Sequence, residues 1–176
     1  MRIGRPTEGK CRFFPTAPYH PERAYSTALK LIEEAIEDER SDELFYSHLL
    51  EMAPSRQKPI IAAIVEDEAK HQRMFRQIYC ELTGRTVPST VPSTPNPSED
   101  LLIGIEKALF GELEAVEKYR QILFGLESPI YWNVVFEILT DEIKHACKWN
   151  YLYTLNACRP HRKYESGQDL DSLPAS

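Results

Sequence analysis

The chain has 176 residues and a mass of 20.3 kDa, with 42% hydrophobic and 27% charged residues and a formal net charge of −6, a balance that suits one soluble globular domain and leaves no length for two large ones. No run approaches the ~18 apolar residues of a membrane span, and the start, MRIGRPTEGKCRFFP, lacks the apolar stretch of a signal peptide, so no membrane partner and a cytoplasmic location are expected. The acidic balance speaks against nucleic acid as a partner, and Cys11, Cys80, Cys147 and Cys158 are too scattered for a C-x-x-C metal site or a disulfide framework.

Thirteen prolines divide the chain, because Pro starts or ends helices and is rare inside them. After an N-terminal extension, 1–20, the first helix is expected over about 21–53, where Ala28, Leu29, Ile32, Ala35, Ile36, Leu49 and Leu50 recur at steps of three and four until Pro54. The second, about 59–84, opens on Pro59 and closes on Gly84 as its C-terminal cap. Ser98 is the expected N-cap of the third, about 99–127, with Glu99 and Asp100 in its first turn. The fourth, about 129–157, follows Ser128-Pro129, and a tail, 158–176, remains. No stretch alternates as a half-buried strand does, so the fold class is all-α.

The connections between helices one and two and between three and four are short, which makes each pair an antiparallel hairpin. The middle segment RTVPSTVPSTPNPS is extended by composition, with a reach on the order of 40 Å. That matches the length of a helix of this size, so the two hairpins join through one long crossover into a four-helix bundle.

The second half repeats the first. Asp67-Glu68-Ala69-Lys70-His71 followed by Phe75 and Tyr79 matches Asp141-Glu142-Ile143-Lys144-His145 followed by Trp149 and Tyr153. Glu39 precedes Tyr46 by the same interval that separates Glu112 from Tyr119. Among 20 Glu and 5 His, one E-x-x-H is unremarkable by chance; two copies inside a longer shared pattern are not. Residues three apart share a helix face, so Glu68 with His71 and Glu142 with His145 each converge on one point. Hard carboxylate oxygen beside imidazole nitrogen suits iron, manganese or zinc. Glu39 and Glu112 lie on apolar, core-facing stripes, where a carboxylate needs a partner. Four buried carboxylates balance two divalent ions, so the charge arithmetic favours a dinuclear centre.

One Glu from each of two helices with a Glu-x-x-His from each of the others resembles the ligand set of the ferritin-like di-iron carboxylate proteins. Over about 21–157, with a Tyr after the lone Glu of helices one and three, the chain is most similar to the rubrerythrin group. The resemblance implies Glu39, Glu68, His71, Glu112, Glu142 and His145 as metal ligands, Tyr46 and Tyr119 as catalytic residues behind them that donate hydrogen bonds or protons, and Asp67 and Asp141 as candidates to orient the imidazoles. It implies two iron ions, with manganese or a mixed pair as alternatives. The implied reaction is reduction of hydrogen peroxide, or reaction with dioxygen, in a homodimer. Ferroxidase or iron-storage activity, a manganese-catalase-like reaction and a non-enzymatic metal-binding structural or sensing bundle are the alternatives. The C-terminal rubredoxin domain of many such proteins is missing from CRPHRKYESGQDLDSLPAS, so a separate electron donor is implied. The position of a further Glu on helix three is Ala115 here; its counterpart on helix one is Asp42, beside Glu43, a pair read first as exposed charges and second as a spare ligand. His48 falls off the site's face, and His20 and His161 lie in the extensions.

Overall fold

A computed structural model describes residues 21–88 and 100–158. It contains four helices, α1 (Pro21–Met52), α2 (Lys58–Thr83), α3 (Leu101–Gly125) and α4 (Pro129–Ala157), packed as an all-α four-helix bundle. Pro59 lies in the first turn of α2 and Pro129 in that of α4, while Gly84 closes α2 at φ 67°, the left-handed conformation glycine adopts without strain. The start of α3 differs from expectation. Asp100, not Ser98, is the N-cap: its carboxylate accepts bonds from the amides of Leu102 at 2.7 Å and Ile103 at 3.1 Å. A charged cap answers two free N–H groups and the positive end of the helix together. Ser98 lies outside the described residues, as do Cys11, His20, His161 and most of the crossover.

Neighbours around the bundle run α1, α2, α4, α3, with α1 diagonal to α4 and α2 to α3. Tyr79, near the end of α2, meets Glu33, and Gly125, at the end of α3, lies against Ala24 and Ala28. The ends of α2 and α3 therefore share the level at which α1 begins. α3 must start at the opposite level, so α2 ends and α3 begins at opposite ends of the bundle. Gly125 is required for this approach, since a Cβ there would stand 2.3 Å from the Ala24 carbonyl oxygen. At the other end, the side-chain amides of Gln57 and Asn156 bond to each other at 3.1 and 3.3 Å, tying the first hairpin's turn to the last turns of α4.

The core is in two parts. One cluster contains Ile32, Ile36, Phe75, Ile122 and Ile138; the other contains Phe45, Leu49, Ile61, Ile105 and Leu152. Between them lies a layer of buried polar residues: Glu39, Glu68, His71, Glu112, Glu142 and His145, none more than 2% exposed.

Candidate metal centre

Three helical residues advance the chain by most of one turn, so each Glu-x-x-His on α2 and α4 projects both side chains inward at one level. The lone glutamates of α1 and α3 enter from the other two sides. All six ligand candidates meet, in two overlapping groups. Glu39, Glu68, His71 and Glu142 bring their donor atoms within 4.8 Å of one another, and so do Glu68, Glu112, Glu142 and His145. Glu68 and Glu142 belong to both. Glu142 faces both rings, with Oε1 2.9 Å from His71 Nδ1 and Oε2 3.5 Å from His145 Nδ1. Glu68 does the same from α2, at 3.0 Å to His145 Nδ1 and 3.8 Å to His71 Nδ1.

These approaches are close without the alignment of hydrogen bonds. Glu39 Oε2, Glu68 Oε1, His71 Nδ1, Glu142 Oε1 and His145 Nδ1 are buried and have no hydrogen-bond partner. Orphaned buried polar atoms are rare, and five converging on one place point to a cation. Oxygen and imidazole nitrogen in these numbers are a donor set suited to a metal ion, with Glu68 and Glu142 common to both groups. The cluster can hold metal.

Electrostatics agrees. Burial pushes the Glu39 carboxyl well above its usual range, with His71 opposing and the Glu68 charge reinforcing the rise. Glu142 rises through burial and then through the Glu39 charge. Burial would lift Glu68 too, but His145 and His71 hold it at about 2. For the imidazoles burial acts downward and the carboxylates outweigh it: Glu39 and Glu68 lift His71 to about 10, and Glu112, Glu142 and Glu68 lift His145 to about 12. Without metal, protons occupy the place of positive charge.

The ring nitrogens facing away are held across the bundle. His71 on α2 meets Asp141 of α4 at 3.4 Å, and His145 on α4 meets Asp67 of α2 at 3.0 Å. With Nε2–H donating to an aspartate, Nδ1 is the atom that faces the cluster and would offer its lone pair to a metal once its proton is lost, an assignment made from the partner. Each Asp therefore serves the histidine of the other hairpin.

No family model matches the chain, and no curated protein matches it. Among solved structures it is similar to a protein from Pyrococcus furiosus described as hypothetical, at TM-score 0.65 and 21% identity over 73% of this chain and 89% of that one. It is also similar to a conserved hypothetical protein from Mycobacterium tuberculosis, at TM-score 0.64 and 15% identity over 72% of this chain and 97% of that one. Both likenesses concern the fold.

The tyrosines are placed less symmetrically than their spacing implies. Tyr119 Oη donates to Glu39 Oε1, the role expected of it. Tyr46 is buried, but Glu112 Oε1 takes its bond from Trp149 Nε1 at 2.9 Å instead, with the Tyr46 ring packed on Trp149 at 5.0 Å. On the other side Phe75, the counterpart of Trp149, packs on Tyr119 at 4.9 Å. Phe has no N–H, so there the tyrosine donates; Trp brings its own donor and takes over that task. Burial keeps both phenols protonated, aided by Asp42 and Glu112 at Tyr46 and by Glu39 and Glu142 at Tyr119. The Trp for Phe exchange within the repeat was the one visible signal of Trp149's part.

The pair Asp42 and Glu43 separates. Glu43, half-buried, bonds to Arg40. Asp42 is half-buried, and burial followed by the charges of Glu68 and Glu112 raises its carboxyl well above the ordinary range. The reading of both as exposed charges is therefore corrected: both are half-buried, and Asp42 lies one turn beyond Glu39 on the side facing the cluster. His48 belongs to neither donor group.

Proposed function

We propose that the chain is a di-iron oxidoreductase of rubrerythrin-like type, reducing hydrogen peroxide or reacting with dioxygen, with electrons from a separate donor. The observation that carries this reading is the set of five unpartnered buried donor atoms in two groups that share Glu68 and Glu142. Two iron ions bound there would supply the two electrons that cleave a peroxide O–O bond, with two protons completing two waters. The chain's own residues do the rest. Asp67 and Asp141 fix the imidazole tautomers, Trp149 and Tyr119 fix one oxygen of Glu112 and of Glu39, and the apolar clusters on either side keep bulk water out. Tyr119 Oη holds a proton at the cluster's edge, and Asp42 is a second proton-holding group on the α1 side.

Metal analysis of the purified and reconstituted protein is the first test; fewer than one transition ion per chain sinks the reading. Stopped-flow oxidation of the anaerobic ferrous protein is the second. Fast oxidation by peroxide and slow oxidation by dioxygen is expected, the reverse indicates a ferroxidase, and inertness to both indicates a structural metal.

A further inference from the structure

The two ends of the bundle follow one plan and are finished differently. The interval that aligns Asp67 with Asp141 also aligns Gln57 with Tyr131 and Leu82 with Asn156. At one end Gln57, wholly buried, and Asn156 exchange side-chain amide bonds and close the space between the first hairpin's turn and α4. At the other end the same two positions hold Tyr131 and Leu82, which have no such bond to make, and both line a cavity of about 490 Å³. Tyr25 of α1 and Leu126, just after α3, complete its walls, and the exposed side chains of Glu22 and Glu127 stand at its mouth. Its inner side is the apolar cluster that contains Leu126, with Leu82 and Tyr131 packed against it. The fold can fill this place with two amides, and at this end it leaves it open.

We propose that this cavity binds a small organic cation, an amine or guanidinium carried on an apolar stem. Its volume is that of a small-molecule site, which commonly runs from about 300 to 1,000 Å³. The walls select the two parts of such a ligand separately. Leu82 and Leu126 offer only apolar surface, so the stem lies against them. The rings of Tyr25 and Tyr131 present the negative faces that attract a cation, and Glu22 and Glu127 add charge of the same sign. No lysine or arginine stands among the described residues that line the cavity. A third carboxylate, Glu81, holds the Tyr131 hydroxyl and raises that phenol above its usual range, so the ring stays neutral. An organic anion would meet these carboxylates unopposed, and a sugar would bury hydroxyls against leucine. A bare metal ion is also the wrong guest, because the donor atoms of these glutamates do not gather into a ligand group as those of the polar layer do.

Calorimetric titration of the full-length protein with phenethylamine, cationic at neutral pH, is expected to show one saturable site per chain with a dissociation constant of about 1 mM or tighter. Phenethyl alcohol, the same shape without the charge, is expected to bind at least about tenfold more weakly, and phenylacetate not at all. The double variant Tyr131→Gln, Leu82→Asn gives this end the side chains of the closed one. It is expected to lose the site with its helical circular dichroism retained. Should it fail to fold, Glu127→Gln decides: the amine is expected to bind several-fold more weakly and the alcohol as before, and an unchanged affinity for the amine overturns the proposal. Absence of saturable binding overturns it too, whether the cavity stays empty or another part of the chain fills it. So does equal affinity for amine and alcohol, or undiminished binding to the folded double variant. The titrations need no metal, so either result leaves the redox reading untouched.

Discussion

Sharing of Glu68 and Glu142 between the two donor groups predicts that ligand substitutions fall into two classes. His71 serves only the first group and His145 only the second, whereas Glu142 serves both. Replacing His71 by Ala removes a neutral donor from one ion and leaves the four carboxylates in place. Replacing Glu142 by Ala removes a donor from each ion and drops the carboxylate charge from four to three against two divalent cations. One uncompensated buried charge costs about 3–5 kcal/mol, or two to four powers of ten in affinity. His71→Ala should therefore retain one tightly held ion per chain and Glu142→Ala neither. The measurement is metal content by mass spectrometry after anaerobic reconstitution with ferrous iron and desalting, alongside circular dichroism to confirm the helices. Two ions retained in Glu142→Ala, or identical losses in the two folded variants, would show that the sharing is not real.

Other consequences can be checked independently. Asp141→Ala frees the His71 ring and should weaken metal binding about 10–100-fold, read by chelator competition. Trp149→Phe makes the second half like the first; Tyr46 should then be the available donor to Glu112, so Trp149→Phe with Tyr46→Phe should lose more metal affinity than the two single variants combined. The histidines, lifted from 6.5 to about 10 and about 12 in the metal-free chain, contribute stability that is complete below pH 6.5 and is lost as pH rises through those values. The raised Glu39 and Glu142 act in the same direction. Urea midpoints of metal-free protein should accordingly fall between neutrality and pH 10 while those of loaded protein hold, and loading at neutral pH should release about two protons per chain from the imidazoles, measurable by calorimetry in buffers of different ionisation enthalpy. Gly125→Ala drives a Cβ into the Ala24 carbonyl and should destabilise the bundle by about 1–3 kcal/mol in chemical denaturation.

The helices, their antiparallel pairing and the six inward ligand candidates were legible because each rests on spacing along one element. Helical period places Glu68 and His71 on one face, and Pro59, Gly84 and Pro129 mark ends where the backbone demands them. What was not legible depends on which side chain stands opposite. That Asp141 meets His71, and not the histidine of its own helix, follows from α2 and α4 being neighbours. That Trp149 replaces Tyr46 as the donor to Glu112 follows from the indole N–H standing opposite that carboxylate, where the counterpart Phe75 has none to offer. Asp42 and Glu43 are adjacent, alike in sequence and both half-buried, yet 100° of helical rotation turns one towards the cluster and the other to Arg40.

The division of the ligands between hairpins also sets an order of events. Glu39, Glu68 and His71 come from the first hairpin and Glu112, Glu142 and His145 from the second, and each donor group draws on both. A hairpin folding ahead of its partner offers three donors of one group and one of the other, so neither set is complete in a half-built chain. A metal bound there would complete its donor set only when the halves dock, so its retention would report that assembly is finished.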